Sequence, residues 1–394
     1  MIEYKIVKIT DLGTVNRGKS KHRPRNDSLL YGGEYPFIQT ADIKKANLYL
    51  SDYSQTYNEI GLKQSKLWKK GTLCFTIAAN IADSAILDID ACFPDSIVGF
   101  LPHENVSDTV YVKYLFDELK LYFQQISKGT TQDNLSLDKI CRVKLRVPNY
   151  ETQKKIALVL STYDNLIENN NKRIRLLEQM AENLYKEWFV RFRFPRYEKV
   201  EFEEKKPRGW QVGAEEKKHL SPSIFKYDEF INIGSFVRGK NITAAKMVEG
   251  NIPVISAGLQ PSGYHNEANV IGLSLTISAS GANAGYLQYH VNDIWAADCS
   301  YYQDDETLWF VYNTLKYLQP VISNFQCGAA QPHVYPKNIN KLCILIPTEE
   351  LINKYNDFVK PYYDEIKIIN QHNQLLTKQR DMLLPRLMSG KLEV

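Results

Sequence analysis

From Gly129 onward, sliding the chain along itself by the 199 residues that separate Pro148 from Pro347 superposes its first half on its second without a gap. Gly129, Gln132, Ile140, Pro148, Tyr163, Asn171, Leu176, Leu177 and Leu184 meet Gly328, Gln331, Ile339, Pro347, Tyr362, Asn370, Leu375, Leu376 and Leu383. Identity at one fixed displacement marks a duplicated architecture. Upstream the halves agree only in outline. Arg17-Gly18-Lys19 answers Arg238-Gly239-Lys240, and Tyr35-Pro36-Phe37-Ile38 answers Ile252-Pro253-Val254-Ile255, each at its own displacement. A constant scaffold that carries two divergent front modules fits this pattern.

The constant part is helical. Ile156, Leu160, Tyr163, Ile167, Asn170, Ile174, Leu177, Ala181, Leu184 and Trp188 alternate at spacings of four and three with polar residues between them, the signature of a helix seam. The second copy runs Tyr355, Val359, Tyr362, Ile366, Ile369, Asn373, Leu376, Arg380, Leu383, Leu387, with polar side chains at Asn373 and Arg380. A buried Asn in such a seam fixes register. At about 1.5 Å per residue each helix reaches roughly 50 Å. A two-fold-like repeat with short links predicts that the two pair antiparallel as a coiled coil and hold the front modules apart.

The front modules show short β-like runs (RVKLRVP, IPVIS, LSLTIS, KLCILIP) between Gly, Asn and Pro turns, with one helix-like stretch each, YVKYLFDELKLYFQQI and LWFVYNTLKYLQPVI. The expected fold is α+β: two small β-rich modules at 1–147 and 207–346, a helical spacer with a charged linker at 148–206, and a second spacer at 347–394.

Composition excludes several classes. The formal charge of +4 is too small to imply a polyanion partner by itself, so charge placement decides. Cys74, Cys92, Cys141, Cys299, Cys327 and Cys343 lie far apart with no metal-ligand spacing and read as reduced core residues. No apolar stretch reaches membrane-spanning length and the first residues lack a signal-peptide core, so a cytoplasmic protein without a membrane partner is expected.

These residues carry a resemblance. The stretch PNYETQKKIALVLSTYDNLIENNNKRIRLLEQMAENLYKEWFVRFRFP (148–195) resembles the central region of Type I restriction specificity subunits, and LLPRLMSGKLEV (383–394) resembles their C-terminal signature. Pro207, Gly209 and Trp210 resemble the entry to that family's target-recognition domain, an entry the first half lacks. The resemblance implies a prokaryotic, non-catalytic subunit whose modules each read half of an asymmetric bipartite DNA site. It also implies that the helices bind two methyltransferase subunits, which two restriction subunits join. S-adenosylmethionine, ATP and Mg would then belong to the partners and no cofactor to this chain. Half-sites read from one side of B-DNA lie about 34–36 Å apart or a multiple of that, a distance on the scale of the helices.

Candidate DNA contacts follow. Arg17, Lys19, Lys21, Arg23 and Arg25 crowd five cations around Gly18 and Pro24, which predicts an exposed basic loop suited to phosphate. Arg238 and Lys240 are its weaker counterpart. Thr40, Asn80 and Asp83, and Ser256, Ser278, Ser280 and Asn283, flank β-like runs and suit base edges, although each is also an ordinary turn-former. Lys128, Thr130, Gln132 and Gln331 fall in the repeated GTTQDNL and GAAQPHV segments (129–135, 328–334), which read first as structural turns and second as backbone contacts. The run from Trp188 to Phe194 reads as helix-end packing with aromatic anchors for a partner.

Three alternatives stay open. Gly13 to Ser20 matches GxxxxGK[ST], but a P-loop needs a helix directly after its Lys and KHRPRN offers none, while the second copy ends in Asn. Glu203-Glu204-Lys205 imitates a nuclease core but reads better as a solvated linker. Against an ATPase or nuclease stands a coiled-coil adaptor that never meets DNA, and also a specificity subunit that serves a methyltransferase alone.

Overall fold

The computed structural model describes residues 3–127, 135–205, 219–324 and 333–394. Its chain divides into two compact units, Met1–Lys172 with Asn370–Val394, and Arg173–Ile369. Each unit holds one α+β module and one stretch of each of two long helices, Tyr150–Tyr185 and Glu349–Ser389.

In the first unit the strands Leu73–Thr76 and Ser84–Leu87 are buried at every residue. Uninterrupted apolar runs of this kind form strands covered on both faces. They lie in a five-stranded sheet ordered Gly13–Arg17, Ile97–Pro102, Leu73–Thr76, Ser84–Leu87, Tyr49–Leu50. A four-stranded sheet is ordered Gln55–Tyr57, Tyr31–Phe37, Ala91–Cys92, Leu67–Trp68, and Tyr4–Val7 pairs with Leu145–Pro148. The helix Thr109–Glu118 is capped by Asp108, whose carboxylate accepts from the Tyr111 N–H at 2.8 Å.

The second unit repeats this plan. Val237–Arg238, Cys299–Tyr302, Ser274–Ser278 and Leu287–His290 form one sheet; Gly263–His265, Ile252–Ile255 and Trp295–Ala296 form another; Lys226–Glu229 pairs with Cys343–Ile346. Its helix Leu308–Tyr317 begins 199 residues after Thr109, so the gapless displacement extends further upstream than residue identity shows. Each helix-like stretch divides in two, at Leu119 and Leu318, and the second division coincides with Pro320 in the first turn of Gln319–Ser323. Of the run RVKLRVP only Leu145–Pro148 is strand, because Leu137–Arg142 is a helix capped by Ser136.

The long helices pair antiparallel within each unit. In the first, Asn170 Nδ2 donates to Asn373 Oδ1 at 2.8 Å, Asn373 Nδ2 donates to Asn171 Oδ1 at 3.0 Å, and Arg380 bonds Asp164. In the second, Arg173 meets Glu365 at 2.7 Å and the Tyr355 hydroxyl donates to the Ala181 carbonyl at 2.9 Å. Ile156, Leu160, Ile167, Ala181, Trp188, Val359, Ile366, Ile369 and Leu387 are buried, while Tyr163, Ile174, Leu177, Leu184, Tyr362, Leu376 and Leu383 are half-buried.

The helix ends bury a second face against their own module. Ile156, Ala157 and Leu160 join the first core with Tyr111 and Phe116, and Tyr185, Phe189 and Tyr355 join the second with Phe225 and Phe310. This corrects one expectation. Trp188, Phe189 and Phe194 sit inside the second unit on and after a π-helical turn, Lys186–Val190, with Trp188 edge-on to Tyr355 at 5.9 Å. They are core residues, not exposed anchors. The large apolar side chains that do face solvent on the helices include Leu176 and Leu375, 59% and 58% exposed and 199 residues apart.

Candidate nucleic-acid interface

The same backbone corner is built twice. Arg17 ends a strand opposite Val98, and the next two amides turn back onto the neighbouring strand's approach: Gly18 N–H donates to Ile97 O at 2.8 Å and Lys19 N–H to Phe93 O at 3.0 Å. In the second unit Arg238 ends a strand opposite Ser300, Gly239 N–H donates to Cys299 O at 2.9 Å and Lys240 N–H to Ala296 O at 2.9 Å. Glycine is required by close approach. A Cβ at position 18 would lie 2.3 Å from Pro94 O, and one at position 239 would lie 2.6 Å from Ala296 O. The Arg-Gly-Lys triplets, recognisable in the sequence at unequal displacements, are thus one structural device.

Beyond the first corner the chain runs out as a loop to Asn26 and returns through the short turn Ser28–Leu30. No helix directly follows Lys19, and Gly13 lies in a strand paired with Pro102, so the segment lacks the helical phosphate cradle of a P-loop. Gln64 Oε1 fixes the loop's base by accepting from the Lys21 and His22 amides at 2.6 and 3.0 Å. Arg25 pairs with Asp95 at 2.6 Å and Arg23 stands 4.0 Å from the same carboxylate. Arg17, Lys19 and Lys21 are exposed and have no carboxylate partner among the described residues.

Strand register gathers further candidates at this end of the sheet. Thr76 lies across from Ile97, so the turn 77–83 projects beside the corner. Tyr49–Leu50 runs parallel to Ser84–Leu87, which brings the preceding helix Thr40–Lys45 to the same end. Thr40 and Lys44 share a face of that helix, and Lys44 Nζ donates to Asn80 Oδ1 at 3.3 Å. Asp83 is engaged by Lys120 at 2.6 Å. Lys44 carried no sequence signal beyond its charge.

The second unit's equivalent end is more heavily satisfied. Asp298 accepts from both Arg238 and the Ser280 hydroxyl. Ser278 is 5% exposed and donates to Ala257 O at 3.2 Å, which makes it a sheet residue instead of a surface contact. The Ser256 and Ser262 hydroxyls bond each other at 3.1 Å. Lys240 is exposed. Lys128, Thr130, Gln132 and Gln331 lie outside the described residues, as do Cys327 and Trp210.

Among the described residues, no three His, Cys, Asp or Glu side chains cluster as a metal site, and no helix is long and apolar enough to cross a membrane. Burial pushes the Cys299 thiol up to about 12, and Cys74 is raised for the same reason, so neither is a thiolate near neutral pH. Lys205 is spent on carbonyls, with Pro222 O and Ser223 O each at 3.0 Å, which leaves it unsuited to a nuclease centre.

Two α+β modules of like topology, each with a basic corner at one sheet end and a share of a helix pair, define a duplicated recognition architecture. The family model for the Type I restriction modification DNA specificity domain matches residues 1–179 and again 223–378, and the chain belongs to that family. It is a specificity subunit of the Type I restriction-modification class, and its task is DNA target recognition. It is 28% identical over its whole length to the Type I restriction enzyme MjaIX specificity subunit of Methanocaldococcus jannaschii, covering 94% of that relative. It is 22% identical to the HindI specificity subunit of Haemophilus influenzae, over 97% of this chain and 98% of that one. The crystal structure of the M. genitalium Type I S subunit shares the fold, with a TM-score of 0.58 at 18% identity, covering 98% of this chain and 96% of that one.

Proposed function

We propose that each module reads one part of a two-part asymmetric DNA sequence. In this reading the paired helices hold two methyltransferase subunits on the DNA, and two restriction subunits join them. The observation that carries it is the Arg-Gly-Lys corner, held by the same pair of amide bonds in both units while its surroundings differ. A shared corner suits the phosphate backbone, which is the same at every sequence, and divergent neighbours suit different bases. Arg17, Lys19, Lys21, Arg23, Arg25 and Lys240 supply the phosphate contacts; Thr40, Asn80, Ser280 and Asn283 face bases. Leu176 and Leu375, equivalent and outward-facing, offer each methyltransferase subunit the same apolar foothold. S-adenosylmethionine, ATP and Mg act in the partners, and this chain selects the target without breaking or making a bond.

Methylome sequencing of the host with and without this gene tests the reading. A gapped motif, methylated on both strands, should disappear with the gene. Exchanging one module for another should alter one half of the motif and leave the other. A continuous motif, or one whose two halves change together, would refute the proposal.

A further inference from the structure

The turn that follows the central buried strand is equivalent in the two units. Thr76 lies across from Ile97 and Ser278 across from Cys299, the two residues whose carbonyls hold Gly18 and Gly239. Thr76 N–H donates to Asp83 O and Ser278 N–H to Tyr286 O, each at 2.9 Å. Ala82 N–H donates to Thr76 O at 2.9 Å and Gly285 N–H to Ser278 O at 2.8 Å. Inside both turns one more bond recurs: Asp83 N–H to Asn80 O at 3.3 Å, and Tyr286 N–H to Asn283 O at 2.9 Å. Asn80 and Asn283 therefore occupy the same place, each preceded by alanine. They stand 203 residues apart, a displacement shared neither with the triplets (221) nor with the helices (199), and the first turn is one residue shorter than the second.

The shorter turn holds its asparagine under strain. Ala79, Asn80 and Ala82 have φ of 47°, 38° and 66°, a region that L side chains rarely adopt, whereas the second turn places glycine at both of its positive-φ positions, Gly281 and Gly285. Glycine at 80 would remove that cost. Asparagine tolerates the conformation better than most residues, so a turn-forming role alone would explain position 80. It does not explain position 283, which has no positive φ and carries asparagine at the same place.

Each amide is half used, and by a long bond. Asn80 Oδ1 accepts from Lys44 Nζ at 3.3 Å and Asn283 Nδ2 donates to Ala257 O at 3.3 Å. Both contacts sit at the weak end of the hydrogen-bond range and can be exchanged for a ligand's. An asparagine amide that offers a donor and an acceptor together matches the N7 acceptor and N6 donor of adenine in the major groove. The turn lies two strands from the Arg-Gly-Lys corner, about 10 Å at the usual strand spacing. That offset is comparable with the roughly 8.5 Å depth of the major groove, so a lysine at the corner can rest on phosphate while the turn reaches a base edge.

The geometry points to Asn80 and Asn283 as paired specificity determinants, one per module, each reading an adenine in its own half-site. This rests on the two-part recognition proposed above and names residue and base within it. The test replaces the gene in its host with Asn80→Gly or Asn283→Gly and sequences the methylome, with thermal melting of the purified chains as the folding control. Glycine removes the amide and, at 80, also the backbone strain, so N80G should fold at least as well as the natural chain. In N80G one A·T position of one half-site becomes degenerate, with methylation of sites mismatched there rising about five- to hundredfold, the range expected for one bidentate contact. N283G does the same in the other half. A motif unchanged by either variant, relaxation of both variants in the same half, or loss of methylation with no relaxed position overturns the assignment. Each of those results leaves the natural chain's gapped motif standing, whereas a natural chain with no gapped motif removes the two-part reading itself.

Discussion

Replacing Arg380 with methionine should unfold the first unit more readily than replacing its partner Asp164 with leucine, although both break the same ion pair. The Asp164 side chain is 2% exposed and accepts from the Tyr114 hydroxyl as well as from Arg380. Arg380 is 23% exposed and has a second carboxylate, Asp381, at 2.8 Å. Burial works against the guanidinium's charge, but Asp164 and Asp381 outweigh it and raise its pKa above the ordinary value. Removing one member of a buried pair costs about 3–5 kcal/mol, because the other charge is left desolvated and alone. R380M strands the wholly buried Asp164 and belongs at the upper end. D164L leaves an arginine that can turn to Asp381 and water, and belongs at the lower end or below. At about 2–4 °C per kcal/mol for a unit of roughly 200 residues, the expected losses in Tm run from about 6 to 20 °C. The double variant D164L/R380M should regain most of the loss, since matched apolar substitution of a buried pair is often close to neutral. Denaturation of the full chain, with hydrogen exchange in Thr109–Glu118 reporting the first unit, measures all three. Single variants within about 1 kcal/mol of the natural chain, or losses that simply add in the double variant, would show that the pair is not coupled and that the reasoning fails.

Three further outcomes follow. Neutralising Arg17, Lys19 and Lys21 together should flatten the dependence of log K on log salt by up to about 2.7, at about 0.9 per phosphate contact, in a mobility-shift titration. Neutralising Arg25 should change it less, because Asp95 already holds that charge. Gly18→Ala should cost about 1–3 kcal/mol by overpacking, since its Cβ would meet Pro94 O and Phe93 O, and should weaken DNA binding in the same titration. His290 bonds the Thr276 hydroxyl at 2.8 Å and burial lowers its pKa to about 4. The unfolded chain then binds the proton more tightly, so stability is full above about pH 6.5 and is lost as pH falls from there towards 4, by up to about 3 kcal/mol; His290→Gln should flatten that slope in melting curves taken across the range.

What the sequence exposed and what it hid divide along physical lines. The seam was legible because helix periodicity is a one-dimensional signal, and the Arg-Gly-Lys triplets were legible because a Cβ-free corner leaves a glycine wherever it is built. Arg380 stood out as a cation in an apolar seam, yet its partner Asp164 lies off the four-three spacing, directly after the seam residue Tyr163, so no periodicity could pair them. The helix-end packing expected of the aromatic run at 188–194 is present, but Trp188, Phe189 and Phe194 are not exposed anchors, because a helix end has two faces to bury and the module claims the second. Residue identity also understated the duplication. Tyr114 and Asn313, like Asp164 and Tyr363, stand 199 residues apart and play matching structural parts: the Tyr114 hydroxyl donates to Asp164, and Asn313 Nδ2 donates to the Tyr363 hydroxyl at 3.1 Å. Arg380 corresponds in the same way to Ala181, which offers only its carbonyl, to Tyr355. At this place one unit joins its module to its helices through a carboxylate and the other through neutral groups, while elsewhere the second unit uses carboxylates too, Glu178 with the Tyr289 hydroxyl at 3.2 Å and Glu182 with Lys316 at 3.3 Å. The duplication therefore preserves where a buried polar contact must sit, while the chemistry that fills it drifts as far as mutual satisfaction allows.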